Sequence, residues 1–279
     1  MQKIILSVKN LTVRLKSDNS LILDNVSFDL NCSEVLAIDG FNGSGKSTLL
    51  KIIMCQLNDY IIESGEIICF PFSDKNILSF NEKEILDYHR FIGYVPQKDN
   101  YEGINKINVE DLIDDAILDT KINKYDVINL FKKYFSSNSR INLKSIPGKL
   151  SGGEQRMISI FLGVVCRINV KLIIIDEPLN NLDFENAMKI SNMLNEIHRS
   201  NRESAFLIVT HCKIITCINR QRKLVNGKLD EEDSIYKCHH CMGVPNENGF
   251  YLKKEWLIFW SRLTSTPFLT LKMRLYHIW

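Results

Sequence analysis

The sequence has no apolar run long enough to cross a lipid bilayer. A spanning helix needs roughly 20 consecutive apolar residues, and the longest run near a terminus, Trp256-Leu257-Ile258-Phe259-Trp260, falls far short. No secretory leader is expected either, because Met1-Gln2-Lys3 leads straight into alternating apolar residues. Neither charge dominates: 35 Lys and Arg face 33 Asp and Glu, a formal +2. Such a chain offers no broad basic field for a nucleic-acid backbone. Internal repeats, low-complexity tracts and heptad stretches are absent, which sets aside repeat architectures and long coiled coils. The cysteines are scattered (32, 55, 69, 166, 212, 217, 238 and 241), several inside apolar runs. They read as reduced cytosolic thiols rather than a disulfide framework.

What is present is the balance of a globular protein, 45% apolar and 24% charged over 279 residues, enough for one large domain or two modest ones. Residues 4 to 39 read as β-rich, with Val8, Leu11, Val13 and Leu15 interleaved with polar residues. Strands are expected at Leu21–Phe28 and Val35–Ile38, followed by a glycine-rich turn at 40–45 and a helix from Lys46 to about Leu57. Ser64-Gly65 breaks the chain before a strand at Glu66–Phe70, and a further strand ends at Tyr94-Val95 before Pro96. From Asn108 to about Arg167 the character turns helical. Asn108 suits an N-cap with Glu110 and Asp111 behind it, Tyr125 to Phe135 makes a second helix, and a third begins near Gly152. Strands return at Leu172–Ile175 and Phe206–Val209, separated by a helix that Asp183 can cap. Asn226-Gly227 between short apolar stretches signals a type I′ hairpin. Alternating strands and helices predict a largely parallel sheet with an inserted helical lobe.

Two clusters carry chemistry. Gly40-Phe41-Asn42-Gly43-Ser44-Gly45-Lys46-Ser47 satisfies G-x-x-x-x-G-K-[ST] between an expected strand and helix. Its backbone N–H groups can turn inward on a phosphate, helped by the positive end of the following helix. Lys46 would reach the β- and γ-phosphates and the Ser47 hydroxyl would hold Mg²⁺. The second cluster is Leu172-Ile173-Ile174-Ile175-Asp176-Glu177, a buried-type strand ending in adjacent carboxylates at the edge where open α/β sheets bind ligands. Asp176 would hold the metal and Glu177 would polarise an attacking water. A glycine turn with an incidental lysine, or two acids on a surface turn, would explain neither the strand–helix context nor the four aliphatics before Asp176. Together the clusters specify a P-loop NTPase.

Leu150-Ser151-Gly152-Gly153-Glu154-Gln155 narrows the class, because it resembles the signature motif of ATP-binding cassette (ABC) ATPases. Other matches follow in family order. Gln97 resembles the Q-loop glutamine, Asn180-Asn181-Leu182-Asp183 the D-loop, and His211 the switch histidine. The resemblance covers about residues 4 to 229. It implies an α/β fold: a P-loop NTPase core with an N-terminal antiparallel β subdomain and an α-helical subdomain inserted at about 98–167, the residues 230–279 being an extension. It implies an ATPase that binds ATP and Mg²⁺ and pairs head to tail with a second cassette, identical or similar. Gly40, Asn42, Gly43, Ser44, Gly45, Lys46, Ser47 and Thr48 would bind ATP in one subunit. Ser151, Gly152, Gly153 and Glu154 would cap the nucleotide held by the partner, with Asp183 at the seam. Mg²⁺ would be held by Ser47, Gln97 and Asp176, while Glu177, His211, Gln97 and Lys46 serve catalysis. The implied role is the nucleotide-binding subunit of a transporter, at the inner face of the cell membrane through a transmembrane partner. A non-transport cassette acting on ribosomes or nucleic acid is the alternative, although nucleic acid is not the expected partner.

Two departures from the family pattern are visible. Leu15 stands where an aromatic residue commonly stacks on adenine, and Arg156 to Gly163 lacks the Ala-Arg-Ala pattern common among importers. Two further features lie outside the resemblance. Cys238-His239-His240-Cys241 has the spacing of half a zinc site, but with only His277 downstream it reads more readily as a reduced, partly buried turn. Leu252, Trp256, Phe259, Trp260 and Leu263 recur at helical spacing, with Lys253, Lys254 and Arg262 on other faces. That stripe suits either an interfacial or partner-docking helix or packing on the chain's own core.

Overall fold

The computed structural model describes residues 3–99, 101, 106–118, 122–136, 140–167, 170–211 and 214–230. The expected zinc half-site and the aromatic C-terminal stripe lie outside these residues. The chain divides into two units, one of Met1–Thr210 with Ile214–Ser234 and one of His211–Lys213 with Ile235–Trp279; only His211 of the second is described.

The first unit begins as an antiparallel sheet. Strands β1 (Ile4–Leu15) and β2 (Leu21–Asn31) form a hairpin, and β4 (Tyr60–Cys69) pairs on the other side of β1, giving the order β2-β1-β4. Leu6, Val8, Leu11 and Val13 of β1 are all buried. Ser64-Gly65 does not interrupt the chain as the sequence suggested. β4 runs through it, the β1–β4 register slips between Lys9 and Thr12, and Gly65 adopts φ 125 against Leu11. The expected break is a bulge inside one long strand.

Between β2 and β4 come β3 (Val35–Asp39) and helix α1 (Lys46–Ile53). The helix is shorter than the sequence pattern predicts, because Cys55 takes a left-handed φ of 57 and the chain turns before Leu57. The remaining elements follow in order: α2 (Glu82–Phe91), β5 (Ile92–Val95), α3 (Val109–Ile117), α4 (Lys124–Phe135), α5 (Gly152–Val164), β6 (Leu172–Asp176), α6 (Phe184–Ser200), β7 (Ala205–Val209), β8 (Arg220–Val225) and β9 (Lys228–Leu229). Strands β5-β6-β7-β3-β8 pair in parallel, with β9 antiparallel at the edge. Every residue of β3, β6 and β7 is buried, as expected where both faces of a parallel sheet are covered.

The register decides where function can sit. Ile38 lies opposite Val209, Asp176 opposite Val209 and Val95 opposite Ile175. The chain therefore leaves β3, β5, β6 and β7 at one edge of the sheet, the carboxyl edge that serves ligands in open α/β folds.

The helical segment packs through aromatic rings. Phe131 and Phe135 of α4 lie 5.4 and 5.7 Å from Phe161 of α5. Asn108 caps α3 through a reciprocal box with Asp111, and Asp183 caps α6 by accepting from Asn186 N–H. Helix α2 was not expected from the sequence, although Asn81-x-x-Glu84 forms a complete capping box. Its Tyr88 and Phe91 sit 5.4 and 5.5 Å from Phe72, closing a cluster beneath the antiparallel sheet. Among the described residues no helix is long and apolar enough to cross a membrane.

Helix α5 approaches β5 backbone to backbone. A Cβ at Gly163 would stand 2.5 Å from the Tyr94 carbonyl oxygen and 3.0 Å from Val95 Cγ2. Gly163→Ala should therefore lower stability by about 1–3 kcal/mol, the range of overpacked cores. Urea unfolding would show it as an earlier midpoint at unchanged slope; an unchanged midpoint would mean that α5 can stand off the strand freely.

Candidate active site

The loop between β3 and α1 is the phosphate cradle. Gly45, at the N-terminus of α1, has φ 103, which a side chain would strain. Gly43 has φ 82 and nothing within 4 Å of where its Cβ would stand, so it is the backbone conformation, not crowding, that calls for glycine there. Asn42 and Ser47 are exposed and Thr48 is half-buried. Lys46 is buried, and its ammonium donates to the carbonyls of Gly40 at 2.6 Å and Phe41 at 3.1 Å. Burial lowers the Lys46 pKa, while Glu177, Asp39 and Asp176 pull it the other way. Those three acids thus gather around one lysine.

Strand β6 delivers two of them. Asp176 ends the strand, accepts a hydrogen bond from the Ser47 hydroxyl, and has its pKa raised to about 6, first by burial and then by Glu177. Glu177 follows with φ 47, a left-handed conformation rare for a side-chain-bearing residue. Its N–H donates to the Val209 carbonyl at 2.8 Å and its own carbonyl accepts from Asn180 N–H at 3.2 Å, which locks the turn. Strained backbone held by its surroundings is typical of working sites.

Two buried polar atoms here lack a hydrogen-bond partner within the described structure, Ser44 Oγ and Asp176 Oδ1. Buried polar atoms are ordinarily paired, so such orphans ask for an explanation. An oxygen-ligated divalent cation beside a phosphate supplies one: a carboxylate and a hydroxyl, Asp176 and Ser47, are the hard donors Mg²⁺ prefers. The residues present fit the group.

Gln97 leaves the same edge of the sheet, exposed on the bend after β5 and Pro96. His211 comes two residues after the end of β7 and belongs to the second unit. Leu15 closes β1 opposite Tyr60, half-buried against the N-terminal core, and brings no ring to that position.

Ser151 caps α5 and is exposed, as is Gly152. Glu154 is buried and turned back on the cap: its carboxylate accepts from Ser151 N–H at 2.9 Å and Ser151 Oγ at 3.0 Å. A Cβ at Gly153 would lie 2.5 Å from Asn186 Cγ, and Asn186 Nδ2 donates to Asp183 Oδ2 at 2.8 Å. The signature tip thus packs closely on Asn186, which is hydrogen-bonded to Asp183. Sequence reading missed Asp39, one residue before the motif, and Arg156, a lone basic residue among Met157, Ile158 and Ile160. A charge inside an otherwise apolar helical stretch was the available signal for the latter.

A carboxyl with a raised folded pKa adds stability only while protonated. For Asp176 that contribution is complete below the ordinary value of 3.8 and is lost as pH rises through about 6. Asp176→Asn should therefore stabilise the nucleotide-free, metal-free protein by about 1–2 kcal/mol at pH 8, the gain vanishing toward pH 4. Urea denaturation at both pH values checks this; equal stability of the two proteins at pH 8 would mean the site tolerates its charge.

The family model described as ABC transporter matches residues 23–180, which take in the cradle, Gln97, the signature and the Asp176–Glu177 pair. The chain is 27% identical over 240 residues to the lipoprotein-releasing system ATP-binding protein LolD of Rickettsia bellii, covering 82% of this chain and 99% of the relative. It is 31% identical over 215 residues to the probable ABC transporter ATP-binding protein p29 of Mesomycoplasma hyorhinis, covering 74% and 81%. The dimeric, post-hydrolysis structure of the ATP-binding cassette MJ0796 with ADP and Pi superposes with a TM-score of 0.66 at 24% identity, over 81% of this chain and 97% of the other. At that identity the superposition speaks for the fold. With the family model spanning more than half of its length, the chain belongs to the ABC transporter family as one of its ATP-hydrolysing cassettes.

Proposed function

We propose that this chain is the nucleotide-binding subunit of a membrane transporter, which closes against a second cassette around two ATP–Mg²⁺ and drives a separate transmembrane protein. The observation that carries the reading is the convergence of Lys46, Ser47, Asp176 and Glu177 at one sheet edge, with a buried carboxylate oxygen left unpartnered. The cassette in this reading is residues 1–229, with 230–279 an appended segment.

Gly40, Asn42, Gly43, Ser44, Gly45 and Thr48 would line the triphosphate path through backbone N–H groups and hydroxyls. Lys46 exchanges its bonds to the Gly40 and Phe41 carbonyls for the β- and γ-phosphates. Ser47, Asp176 and Gln97 would hold Mg²⁺. Bound there, the cation neutralises charge on the phosphate oxygens. Glu177 accepts a proton from the water that attacks the γ-phosphorus, while the bond to the ADP oxygen breaks. His211 contacts the γ-phosphate and steadies the closed state.

The exposed Ser151, with the backbone N–H groups of Gly152 and Gly153 at a helix N-terminus, would form a seat for the partner's γ-phosphate. Glu154 supports that seat through Ser151, and Asp183 sits beside it at the seam. Relatives named as transporter ATP-binding proteins support the transport half of the reading, and with it a place at the cytoplasmic face of a membrane.

Glu177→Gln should cut turnover by at least about 10²-fold, the contribution of a positioned base, and trap an ATP-bound dimer visible by size-exclusion light scattering. Wild-type turnover in this variant would remove Glu177 as the base. A second expectation concerns the partner: pull-down from detergent-solubilised membranes should recover a polytopic membrane protein. Recovery of ribosomes or nucleic acid instead would overturn the transport half while leaving the ATPase intact.

A further inference from the structure

Beyond its capping box, α5 carries one ionised side chain on its buried face. Arg156 is only 4% exposed. A buried guanidinium is costly unless its donors are satisfied, and here they are satisfied by two separate loops. Arg156 Nη2 donates to the Asp176 carbonyl at 2.7 Å, and Nε donates to the Pro178 carbonyl at 3.3 Å. Nη1 donates to the Pro96 carbonyl and to Asp99 Oδ1, the latter at 3.0 Å. The Asp99 carboxylate is itself largely buried. Close by, the Tyr101 hydroxyl lies 2.9 Å from Ser159 Oγ, a second tie between the loop after β5 and the same helix.

The placement of these bonds along the chain is the informative part. Asp176 and Pro178 are the residues immediately before and after Glu177. Pro96 stands immediately before Gln97, and Asp99 two residues after it. One planar fork therefore brackets both groups assigned to the attacking water and the metal, through the backbone on either side of them and the Asp99 carboxylate. A fork of fixed geometry sets orientation as well as distance, which a lysine or an apolar residue cannot do. Arg156 also lies on the helix whose first residues follow the Ser151 cap.

We infer that Arg156 is a positioning residue for hydrolysis: it sets the Gln97 loop and the Asp176–Glu177–Pro178 turn in register with each other and with the signature helix. The inference rests on the roles proposed for Gln97 and Glu177. Arg156 bonds to backbone carbonyls and to Asp99. It acts by fixing the backbone from which those side chains project, where a displacement of about 1 Å can cost 10²-fold in rate.

The test uses the full-length chain and the variants Arg156→Met, Arg156→Lys and Asp99→Asn, with Glu177→Gln in parallel. ATP hydrolysis gives kcat and KM, and titration with a fluorescent ATP analogue gives affinity. Arg156→Met should lose about 10²-fold in kcat, with KM and analogue affinity within about threefold of wild type. Arg156→Lys should recover part of that loss, because it restores the charge but not the fork. Asp99→Asn should lower kcat several-fold with binding unchanged.

A residue needed only for folding would instead lower activity in proportion to the folded fraction, and Lys and Met would then behave alike per folded molecule. That pattern overturns the inference, as does wild-type kcat in Arg156→Met or, should that variant not fold, in Asp99→Asn. If Glu177→Gln is inactive while the Arg156 and Asp99 variants turn over normally, the positioning role fails alone. If Glu177→Gln turns over at the wild-type rate, the reading beneath it fails.

Discussion

Holding Asp176 out of water beside Glu177 is the constraint around which the rest of the structure is arranged. The sheet buries every residue of β6 up to and including this carboxyl, and burial lifts its pKa to about 6. Nothing in apolar packing requires an acid there, and a buried unpaired charge opposes folding. The opposing gains are local. Ser47 donates one hydrogen bond, Lys46 and Arg156 contribute favourable charge, and the aliphatic run from Leu172 to Ile175 anchors the strand. Those partners come from three elements, α1, α5 and β6, so the fold has to be complete before the carboxyl is tolerable.

Lys46 is held back in the same way. Its ammonium is satisfied by the Gly40 and Phe41 carbonyls rather than by the nearby acids. On the proposed function a triphosphate competes for a donor that is already bonded, and it brings further negative charge beside Asp39, Asp176 and Glu177. The nucleotide therefore needs a cation to accompany it at the cradle. A cation at Asp176 would remove the remaining unpartnered acceptor.

Much of this was legible in the sequence, for identifiable reasons. Gly-rich loop, buried strand and terminal carboxylates are each local patterns, and the parallel register then brings them to one edge. The caps at Asn108 and Asp183 were legible because a single side chain and its own backbone decide them. What escaped was non-local or sterically decided. The Ser64-Gly65 bulge depends on Leu11 across the strand, the early end of α1 on a left-handed Cys55, and the bonds of Arg156 on loops roughly 20 and 60 residues away in sequence. Helix α2 was readable from Asn81-x-x-Glu84, yet its length and apolar face are modest beside the aromatic cluster that secures it. The departure at Leu15 also stands: the end of β1 supplies aliphatic packing where the family pattern has a ring.

Helix α5 then has two ends with different tasks. Its first turn is capped by Ser151, presents Gly152 to solvent, and rests through Gly153 on Asn186 and so on Asp183. Its second turn holds the loops around Gln97 and Glu177 through Arg156. At Gly163 its last turn is pinned to the β5 backbone without room for a methyl group. A helix fixed at its tail and bonded at its middle cannot tilt at its tip without changing either Arg156's geometry or the caps. On the proposed function the tip faces the partner's nucleotide, and contact across the seam and the alignment of the chain's own hydrolytic groups therefore share one rigid body. Close packing of this kind favours discrete arrangements over gradual deformation, which is the behaviour expected of a subunit whose hydrolysis must wait for closure.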